Sequence, residues 1–319
     1  MSLGEFDIIA RYFSRPVRRG DVLLGVGDDA ALLAPPSGQA LVVATDTLVE
    51  GRHFLPGTPA AALGHQTLAV NLSDLAAMGA EPAWCLLSLS LPGADAAWLE
   101  SFAEGLYALA GQHGVALVGG DTVAGPLVIT IEVLGFVAPA EALRRSGARI
   151  GDAIFVSGTP GMAAAGLELL RAGRVGFDSQ DPRVLRFLRA EPRIALGRAL
   201  RGLATAAMDV SDGLLGDLRK LAAASGVGAV LDLEALPLAG VQAAGMSPEA
   251  AERLVLHGGD DYELLFTVPA AAVARLATIA TATGCSLHRI GTVVAGHEVA
   301  CRRDGRPVTD AGRGHDHFA

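Results

Sequence analysis

The amino-acid sequence predicts an α/β (α+β) protein with two domains. Strand-like apolar runs alternate with helical runs along the whole chain, as they do in α/β and α+β folds. The chain has 319 residues, enough for about two domains with sizeable cores. A basic, glycine-containing stretch at 144–152 separates two series of such runs, so we place the domains at 1–140 and 150–319.

The first series starts after a basic N-terminal segment. Short apolar runs predict strands, and the longer runs rich in alanine and leucine predict helices. We expect strands at 40–45, 115–120 and 126–137, and helices at 59–78 and 96–112.

The second series restarts with an apolar run directly after the basic stretch. We expect a strand at 153–157, a helix after the "GTPG" segment, a strand at 206–210, a helix at 213–224, strands at 227–233 and 262–268, a helix near 270–283, and further strands to about 303.

Composition excludes several classes of function. Hydrophobic residues make up 51% of the chain, which indicates a globular protein, and the net charge of −9 argues against nucleic acid as the main partner. No apolar stretch reaches the roughly 18 residues that a membrane helix needs. Glu5 and Asp7 lie where a signal peptide would carry basic and apolar residues. We therefore expect a cytoplasmic protein without a membrane partner.

The cysteines predict neither a disulfide framework nor a zinc site. There are three of them, an odd number, at Cys85, Cys285 and Cys301, and no two form a Cys-x-x-Cys pair. This usage is typical of a reduced compartment.

The basic residues restrict how the chain can bind phosphate. It contains 24 arginines and a single lysine, Lys220, which lies between Arg219 and Leu221. A Walker A loop requires Gly-Lys-Ser or Gly-Lys-Thr, so this loop is excluded. A phosphate site would have to use backbone N–H groups, arginine and metal ions.

Carboxylates recur next to the predicted strands. Asp46, Asp121 and Asp209 each follow an apolar run, and Asp28 and Asp29 are adjacent after "VLLGVG". Ligands of open α/β sheets collect at the carboxyl ends of strands, and Mg²⁺ is commonly held by one or two carboxylates together with substrate phosphates. These residues therefore predict an acidic metal site. The alternative is that each aspartate merely occupies a loop, where this residue is common.

A polar stripe marks the otherwise apolar predicted helix at 59–78. Thr67, Asn71 and Asp74 follow at i, i+4 and i+7, which places them on one face. The stripe either faces solvent or faces the acidic site.

Two glycine-containing segments permit more than one interpretation. "SGTPG" at 157–161 either opens an anion-binding helix N-terminus or allows close strand-to-helix packing. "GVGDDA" with Asp46 imitates a dinucleotide fingerprint, but the chain leaves no room for the crossover helix before the next strand. We reject a dinucleotide site.

Motifs along nearly the whole chain resemble those of a known family. They are "GEFDIIARYF", "GVGDDAALL", "ATDTLVEGRHF", "AVNLSDLAAMGAEPAW", "GGDT", "RSGA", "SGTPG", "DVSDGL", "GGDDYELLFTV" and the closing "DHF". Together they resemble the thiamine-monophosphate kinase family, which belongs to an ATP-binding superfamily that includes aminoimidazole ribonucleotide synthetase.

The resemblance implies a two-domain PurM-like fold. Its N-terminal domain, 1–140, would bind ATP and metal and pair strands across a homodimer, and its C-terminal α/β domain would occupy 150–319. The implied reaction transfers a phosphoryl group from ATP to thiamine monophosphate, with several Mg²⁺ ions and ATP as co-substrate. Direct in-line transfer needs no dedicated nucleophile, and no catalytic residue of that kind is expected.

The resemblance also implies roles for individual residues. Metal positions match Asp29, Thr45, Asp46, Asp74, Asp121, Asp209 and Asp212. Nucleotide contacts match Gly120, Asp121, Arg145 and Ser211, and contacts to the thiamine substrate match His53 and Asp260.

Three departures distinguish this chain from the family pattern. Ala44 stands where relatives can offer a hydroxyl to a metal, and Asp260 replaces a longer glutamate. The C-terminal "AGRGHDHF" lacks an aromatic residue a few positions before its phenylalanine.

Other functions remain as alternatives. A selenophosphate synthetase would carry cysteine or selenocysteine and a lysine near the N-terminus, whereas Cys85 is the first cysteine here. An amidotransferase-coupled ligase would handle larger substrates. A non-catalytic nucleotide sensor would bind ATP without turnover.

Overall fold

The computed structural model describes residues 3–243 and 245–308. By its internal contacts the chain divides into two compact units, residues 1–75 with 80–140, and residues 76–79 with 141–319. The closing "DHF" motif lies outside the described residues.

The first unit begins with a short helical segment. Helix α1, Glu5–Ile8, continues into a π-helical turn at Ile9–Phe13, and the chain then forms a two-stranded ribbon of β1, Val22–Leu24, and β2, Leu32–Leu33. Trp84 anchors this segment, because its indole N–H donates to Asp21 over 3.2 Å. The N-terminal segment is thereby fastened to the main sheet.

A four-stranded sheet forms the body of the first unit. Its strands are β3, Ala40–Val49, β4, Glu81–Leu91, β5, Ala116–Ala124, and β6, Val128–Val137, in the order β3-β6-β4-β5. Only β4 and β5 run parallel, and helix α3, Ala96–His113, connects them. Helix α2, Ala60–Ala77, connects β3 to β4.

The two faces of this sheet differ in burial. Side chains alternate along a strand, so residues opposite one another across the ladder share a face. Ile129, Ile131 and Val133 of β6 are completely buried, as the covered face requires. On the other face Leu41 and Val43 of β3 remain 46% and 51% exposed, with Val123 of β5 at 49%. Apolar side chains thus face outward on one side of the first unit.

The second unit contains seven strands and seven α-helices within its described residues. The strands are β7, Ala153–Ser157, β8, Ala206–Val210, β9, Gly228–Asp232, β10, Glu263–Val268, β11, Leu287–Val294, β12, Val299–Arg303, and β13, Arg306–Val308. The helices are α4, Met162–Arg171, α5, Pro182–Leu188, α6, Ile194–Ala199, α7, Leu214–Ser225, α8, Ala239–Gln242, α9, Pro248–His257, and α10, Leu276–Thr283, preceded by a 3₁₀ turn at Ala270–Arg275.

The seven strands form one sheet in the order β13-β12-β9-β11-β7-β10-β8. All neighbours are antiparallel except β9 and β12. Apolar residues of β7, β8 and β10 join those of α7 and α9 in one buried core. This core sets the ends of β7, β8 and β10 beside one another.

The mixed α/β class and the predicted elements are confirmed, with three differences. The first expected strand continues through Asp46 to Val49, and β5 continues through Asp121 to Ala124, because both strands stay hydrogen-bonded to their neighbours. Both aspartates therefore lie within strands, and the prediction that they follow strand ends is wrong. The sequence did not lead us to expect strands β2 and β4 or helices α1, α5, α6, α8 and α9.

Within the part of the chain that the structure describes, no helix combines the length and apolar character of a membrane span. All three cysteines are buried and free, as expected for a chain without disulfides. The cytoplasmic location stays a prediction.

Candidate active site

In the first unit, Asp46 and Asp121 occupy opposite edges of the sheet. Asp46 lies on β3 and Asp121 on β5, and two strands separate them in the order β3-β6-β4-β5. Three inter-strand spacings amount to about 14 Å. One cation therefore cannot bind both carboxylates within the sheet, and the two residues belong to separate groups.

The first group joins β3 to the polar stripe of α2. The side-chain oxygen of Asn71 accepts a hydrogen bond from the backbone N–H of Asp46 over 2.9 Å, and the Asn71 amide donates to the carbonyl of Thr67 over 2.9 Å. Thr67 and Asn71 are almost fully buried, and Asp74 is half-buried. The stripe therefore faces the sheet, and its interpretation as a solvated surface is wrong.

The second group lines a cavity of about 750 Å³. The carboxylates Asp28, Asp29 and Asp121 contribute to its wall, together with apolar side chains of the N-terminal segment and of the sheet. The full lining is Phe6, Ile9, Phe13, Val26–Ala31, Leu33, Leu86, Leu87, Leu117–Thr122 and Leu134. An apolar chamber with a few carboxylates can hold an aromatic base together with a cation-bound phosphate chain.

Gly120 gives this wall its close backbone contact. Its φ is +149°, and a Cβ atom there would lie 1.8 Å from the carbonyl oxygen of Leu87. Any other side chain would therefore force β4 and β5 apart. The presence of glycine at position 120, the second glycine of the "GGDT" motif, is therefore explained by strand packing and does not require a ligand contact.

His53 lies in the turn after β3. Its Nδ1 accepts a hydrogen bond from the backbone N–H of Val49 over 3.0 Å. A nitrogen that accepts carries no proton, so the neutral ring holds its proton on Nε2. The turn thereby fixes both the orientation and the tautomer of the imidazole.

Groups of three or more metal-binding side chains do not occur within residues 3–243 and 245–308. The residues nevertheless fit a hard cation in another way. Asp29 and Asp121 form no ion pair with any described arginine or lysine, and both are exposed. Carboxylate oxygens without a resident counter-ion suit Mg²⁺, which completes its shell with water and phosphate oxygens.

In the second unit, the turn after β8 is held by a buried carboxylate. Asp217 of α7 accepts hydrogen bonds from the backbone N–H groups of Ser211 and Asp212 over 3.0 and 3.1 Å. Lys220 donates to Asp217 over 2.8 Å and also to Asp212. Burial raises the pKa of Asp217, while the neighbouring Lys220 opposes that shift.

The turn before β10 contacts the turn after β8. The backbone N–H of Asp260 donates to the carbonyl of Ser211 over 3.0 Å, and that of Tyr262 donates to Val210 over 2.8 Å. Asp260 and Tyr262 have φ values of +63° and +52°, which are strained for residues other than glycine. The Tyr262 hydroxyl donates to the Asp260 carboxylate over 3.3 Å. These contacts orient Asp260.

Asp261 occupies the N-terminus of α4. Its carboxylate accepts hydrogen bonds from the N–H groups of Gly161, over 2.6 Å, and Ala163, over 3.4 Å. Burial raises the pKa of Asp261 to about 8. The "SGTPG" segment therefore serves strand-to-helix packing, and the protein's own carboxyl group fills the position that a bound anion would need.

A buried ion cluster surrounds Glu263 at the start of β10. Arg186 and Arg193 each donate to its carboxylate over 2.7 Å, and the Ser157 hydroxyl donates over 2.5 Å. Burial alone would raise the pKa of Glu263, but the hydrogen bonds from Arg193 and the charge of Arg186 hold it below its usual range. This cluster and Asp261 hold the start of β10 and the turn before it, which carries Asp260.

Two further expected site residues of the second unit, Asp209 and Arg145, lie outside these two turns. Asp209 is buried within β8 opposite Leu264. The carbonyl of Arg145 accepts from Ser225 at the C-terminal end of α7, whereas Ser211 precedes its N-terminal end. A 12-residue helix spans about 18 Å, so the backbones of Arg145 and Ser211 are not adjacent.

Cysteine chemistry does not contribute to this arrangement. Burial raises the pKa of Cys85 to about 12, and it also raises that of Cys285. Neither thiol is a nucleophile at neutral pH.

Sequence reasoning missed the residues that position the expected site. Asp217, Asp261, Tyr262 and Glu263 were not singled out, and Lys220 was noted only as the single lysine and not as part of the site. The "DDYE" segment offered one signal, since a charged and aromatic run directly before an apolar strand is unusual for a surface turn.

The chain matches proteins of known class over nearly its whole length. Residues 27–137 match the family described as AIR synthase related protein, N-terminal domain, and residues 149–304 match the corresponding C-terminal domain. The chain is 50% identical to the thiamine-monophosphate kinase of Escherichia coli (strain K12), covering 100% of this chain and 99% of that relative.

Two solved structures are also similar. The thiamine-monophosphate kinase from Stenotrophomonas maltophilia K279a is 47% identical, with a TM-score of 0.88 over 97% of this chain and 99% of that one. The structure of AaThiL complexed with AMPPCP and TMP is 33% identical, with a TM-score of 0.77 over 89% of each chain.

Proposed function

The chain belongs to the AIR synthase related proteins and, among them, to the thiamine-monophosphate kinases, and from this premise we propose the course of its reaction. We propose that the γ-phosphoryl group of ATP passes directly and in line to the phosphate of thiamine monophosphate, with several Mg²⁺ ions bound. The products are ADP and thiamine diphosphate. The relative AaThiL, whose structure contains AMPPCP and TMP, supports the choice of the two substrates.

The cavity of the first unit carries the assignment of the nucleotide site. Gly120 and Asp121 line it beside Asp28 and Asp29, so residues expected to contact ATP and residues expected to bind metal share one wall. Its volume of about 750 Å³ suits a nucleotide. The apolar side chains would contact the base, and the carboxylates would lie toward the phosphates.

The proposed metal positions offer only hard oxygen ligands. Asp29, Asp46, Asp74 and Asp121 contribute in the first unit with the Thr45 hydroxyl, and Asp209 and Asp212 contribute in the second. Mg²⁺ bound there supplies positive charge to the phosphates, which the chain's own cations otherwise provide only through arginine and Lys220.

The side chains of the protein position the two substrates. His53, whose Nδ1 accepts a hydrogen bond from the backbone of Val49, would contact the thiamine substrate. Asp260, held by Tyr262 and by the Ser211 carbonyl, would contact the thiamine side, and Ser211 and Arg145 would contact the nucleotide. The acceptor phosphate is itself the nucleophile, so no phosphorylated protein residue is required.

We also propose that two chains associate through the outward face of the four-stranded sheet. Leu41, Val43 and Val123 expose apolar surface on this face. Burial of such side chains against a second copy is favourable by about 25 cal/mol per Å².

A labelling experiment tests the reaction. Purified protein is incubated with γ-labelled ATP, with and without thiamine monophosphate, and the label is followed on small molecules and on denatured protein. We expect thiamine-dependent ADP formation with all transferred label in thiamine diphosphate. Label retained on the denatured protein would contradict direct transfer, and ATP binding without turnover would identify a sensor instead.

A further inference from the structure

Lys220, in the middle of α7, extends its ammonium between two carboxylates. Its ammonium donates to Asp212 and, over 2.8 Å, to Asp217, and its side chain is 43% exposed. Asp212 is partly exposed at 31%, whereas the side chain of Asp217 is completely buried. The only lysine of the chain is therefore fixed next to a residue that we assign to the metal-bound nucleotide.

Asp217 makes this arrangement rigid. One of its oxygens accepts the N–H groups of Ser211 and Asp212, and the other accepts the Lys220 ammonium. A single buried carboxylate thus anchors both the backbone of the turn and the cation that contacts its side chain. Charge-assisted hydrogen bonds of this kind are stronger than neutral ones and restrict the rotamers of both partners.

We propose that Lys220 is a positioning residue of the nucleotide site, acting as the resident counter-ion of Asp212. This inference rests on the function proposed above. Lys220 holds the Asp212 carboxylate in place and makes cation binding at this carboxylate depend on the phosphates that arrive with the cation.

The dependence follows from the signs of the charges. A bare Mg²⁺ that approaches Asp212 meets an ammonium already hydrogen-bonded to that carboxylate, and the two cations repel each other. A Mg²⁺ that arrives with a polyphosphate brings negative charge, which attracts the same ammonium. Lys220 therefore disfavours the bare ion and favours the metal–nucleotide complex.

Replacement of the charge separates these two effects. In Lys220→Met the side chain keeps most of its length and loses its charge. We expect binding of Mg²⁺ without nucleotide to become tighter by at least about three-fold and binding of the Mg²⁺ complex of AMPPCP to become weaker by at least about three-fold, the size of a partly exposed charge interaction. Both are measured by calorimetry.

Two further variants serve as controls. Lys220→Arg keeps the charge and should restore both affinities to within about two-fold of the original protein. Arg253→Met removes one positive charge from an exposed ion pair with Glu168 elsewhere in the second unit, and it should change neither affinity. Thermal unfolding of each variant shows whether it is folded.

The single lysine provides a local readout in the unaltered protein. With ¹⁵N at lysine Nζ, the chain gives one side-chain ammonium signal. We expect this signal to move when Mg²⁺ and AMPPCP are added together, and to move much less when the same concentration of Mg²⁺ is added alone. This readout remains available even if Lys220→Met fails to fold.

The outcomes distinguish this inference from the proposed function. If the original protein neither binds the nucleotide complex nor produces thiamine diphosphate, the proposed function is wrong. If it does both, but Lys220→Met shifts the two affinities in the same direction or not at all, or the lysine signal stays unchanged at saturation, the role of Lys220 is wrong.

Discussion

The backbone N–H of Asp260 donates a hydrogen bond to the carbonyl oxygen of Ser211 over 3.0 Å. Gly259 allows this contact, because a Cβ atom at that position would lie 2.7 Å from the same oxygen. Two turns that are 49 residues apart in sequence are thereby joined at one end of the sheet of the second unit. We expect the turn with Ser211 to contact the nucleotide and the turn with Asp260 to contact the thiamine substrate. The hydrogen bond between the two turns therefore fixes the distance between them.

The first prediction concerns this turn. Asp260→Asn removes the charge while retaining a residue that tolerates positive φ. We expect the KM for thiamine monophosphate to rise several-fold, with the KM for ATP nearly unchanged. Tyr262→Phe, which removes the hydroxyl that contacts Asp260, should have a smaller effect of the same kind. Steady-state kinetics with each substrate varied in turn measures both, and an increase confined to ATP would reverse the assignment.

The second prediction concerns the metal positions. Asp46→Asn, Asp74→Asn and Asp209→Asn should each lower kcat by about 100-fold or more, because electrostatic stabilisation dominates phosphoryl transfer. Asp178→Asn, at an exposed position, is the matched control and should retain full activity. Excess EDTA should abolish turnover of the original protein. Activity close to the original in any of the three variants would remove that residue from the metal site.

The third prediction compares two carboxylate partners of Arg193. Glu263 is completely buried, whereas Glu191 is 71% exposed. Glu263→Gln leaves the largely buried Arg186 without its ion pair and Arg193 with only the exposed Glu191, and it should lower the free energy of unfolding by about 3 kcal/mol or more. Glu191→Gln should change it by less than about 0.5 kcal/mol. Denaturant unfolding measures both, and equal effects would show that the buried cluster contributes no special stability.

The fourth prediction is a pH dependence of stability from Asp261. Burial raises its pKa to about 8 in the folded chain, whereas an unfolded aspartate titrates at about 3.9. Between these values the folded state binds the extra proton, so the free energy of unfolding falls as pH rises, by at most about 1.4 kcal/mol per unit. In Asp261→Asn this decrease in the free energy of unfolding should be absent, because asparagine does not titrate.

The measurement is thermal unfolding between about pH 5 and pH 7.5, which lies between the two titrations. The Tm of the original protein should fall relative to that of Asp261→Asn as pH increases, while Asp178→Asn should follow the original protein. Parallel curves for the original protein and Asp261→Asn would show that Asp261 is ionised throughout this range.

The fifth prediction concerns association. Val43→Glu places a charge on the outward sheet face and should convert a homodimer into a monomer. Ile150→Glu, at a 67% exposed position of the second unit, is the control and should leave the mass unchanged. Light scattering at micromolar concentration measures the mass. A monomer in the original protein would contradict the proposed dimer.

Much of the fold could be predicted because its signals are local. The apolar runs that form β7, β8 and β10 are bounded by glycine and polar residues, and the alanine-rich run that forms α2 is too long for a strand. Strand β4 was missed because most of its side chains are buried on both faces of the sheet, so its sequence lacks a clear alternation of apolar and polar residues. The ends of β3 and β5 were misplaced because an aspartate within a strand depends on ladder partners that are distant in sequence.

The sequence by itself determined the class of the protein, its family resemblance and the residue types available for phosphate chemistry. Composition excluded a Walker A lysine, and the spacing of Thr67, Asn71 and Asp74 defined one helix face, because both are properties of the chain alone. Only the tertiary structure decided that this face meets β3 at Asp46 and that Asp261 fills the N-terminus of α4. Only the tertiary structure also decided that Lys220 pairs with Asp212 and Asp217. Hydrogen bonds and ion pairs depend on distances of about 3 Å between atoms, and the packing of strands and helices sets those distances.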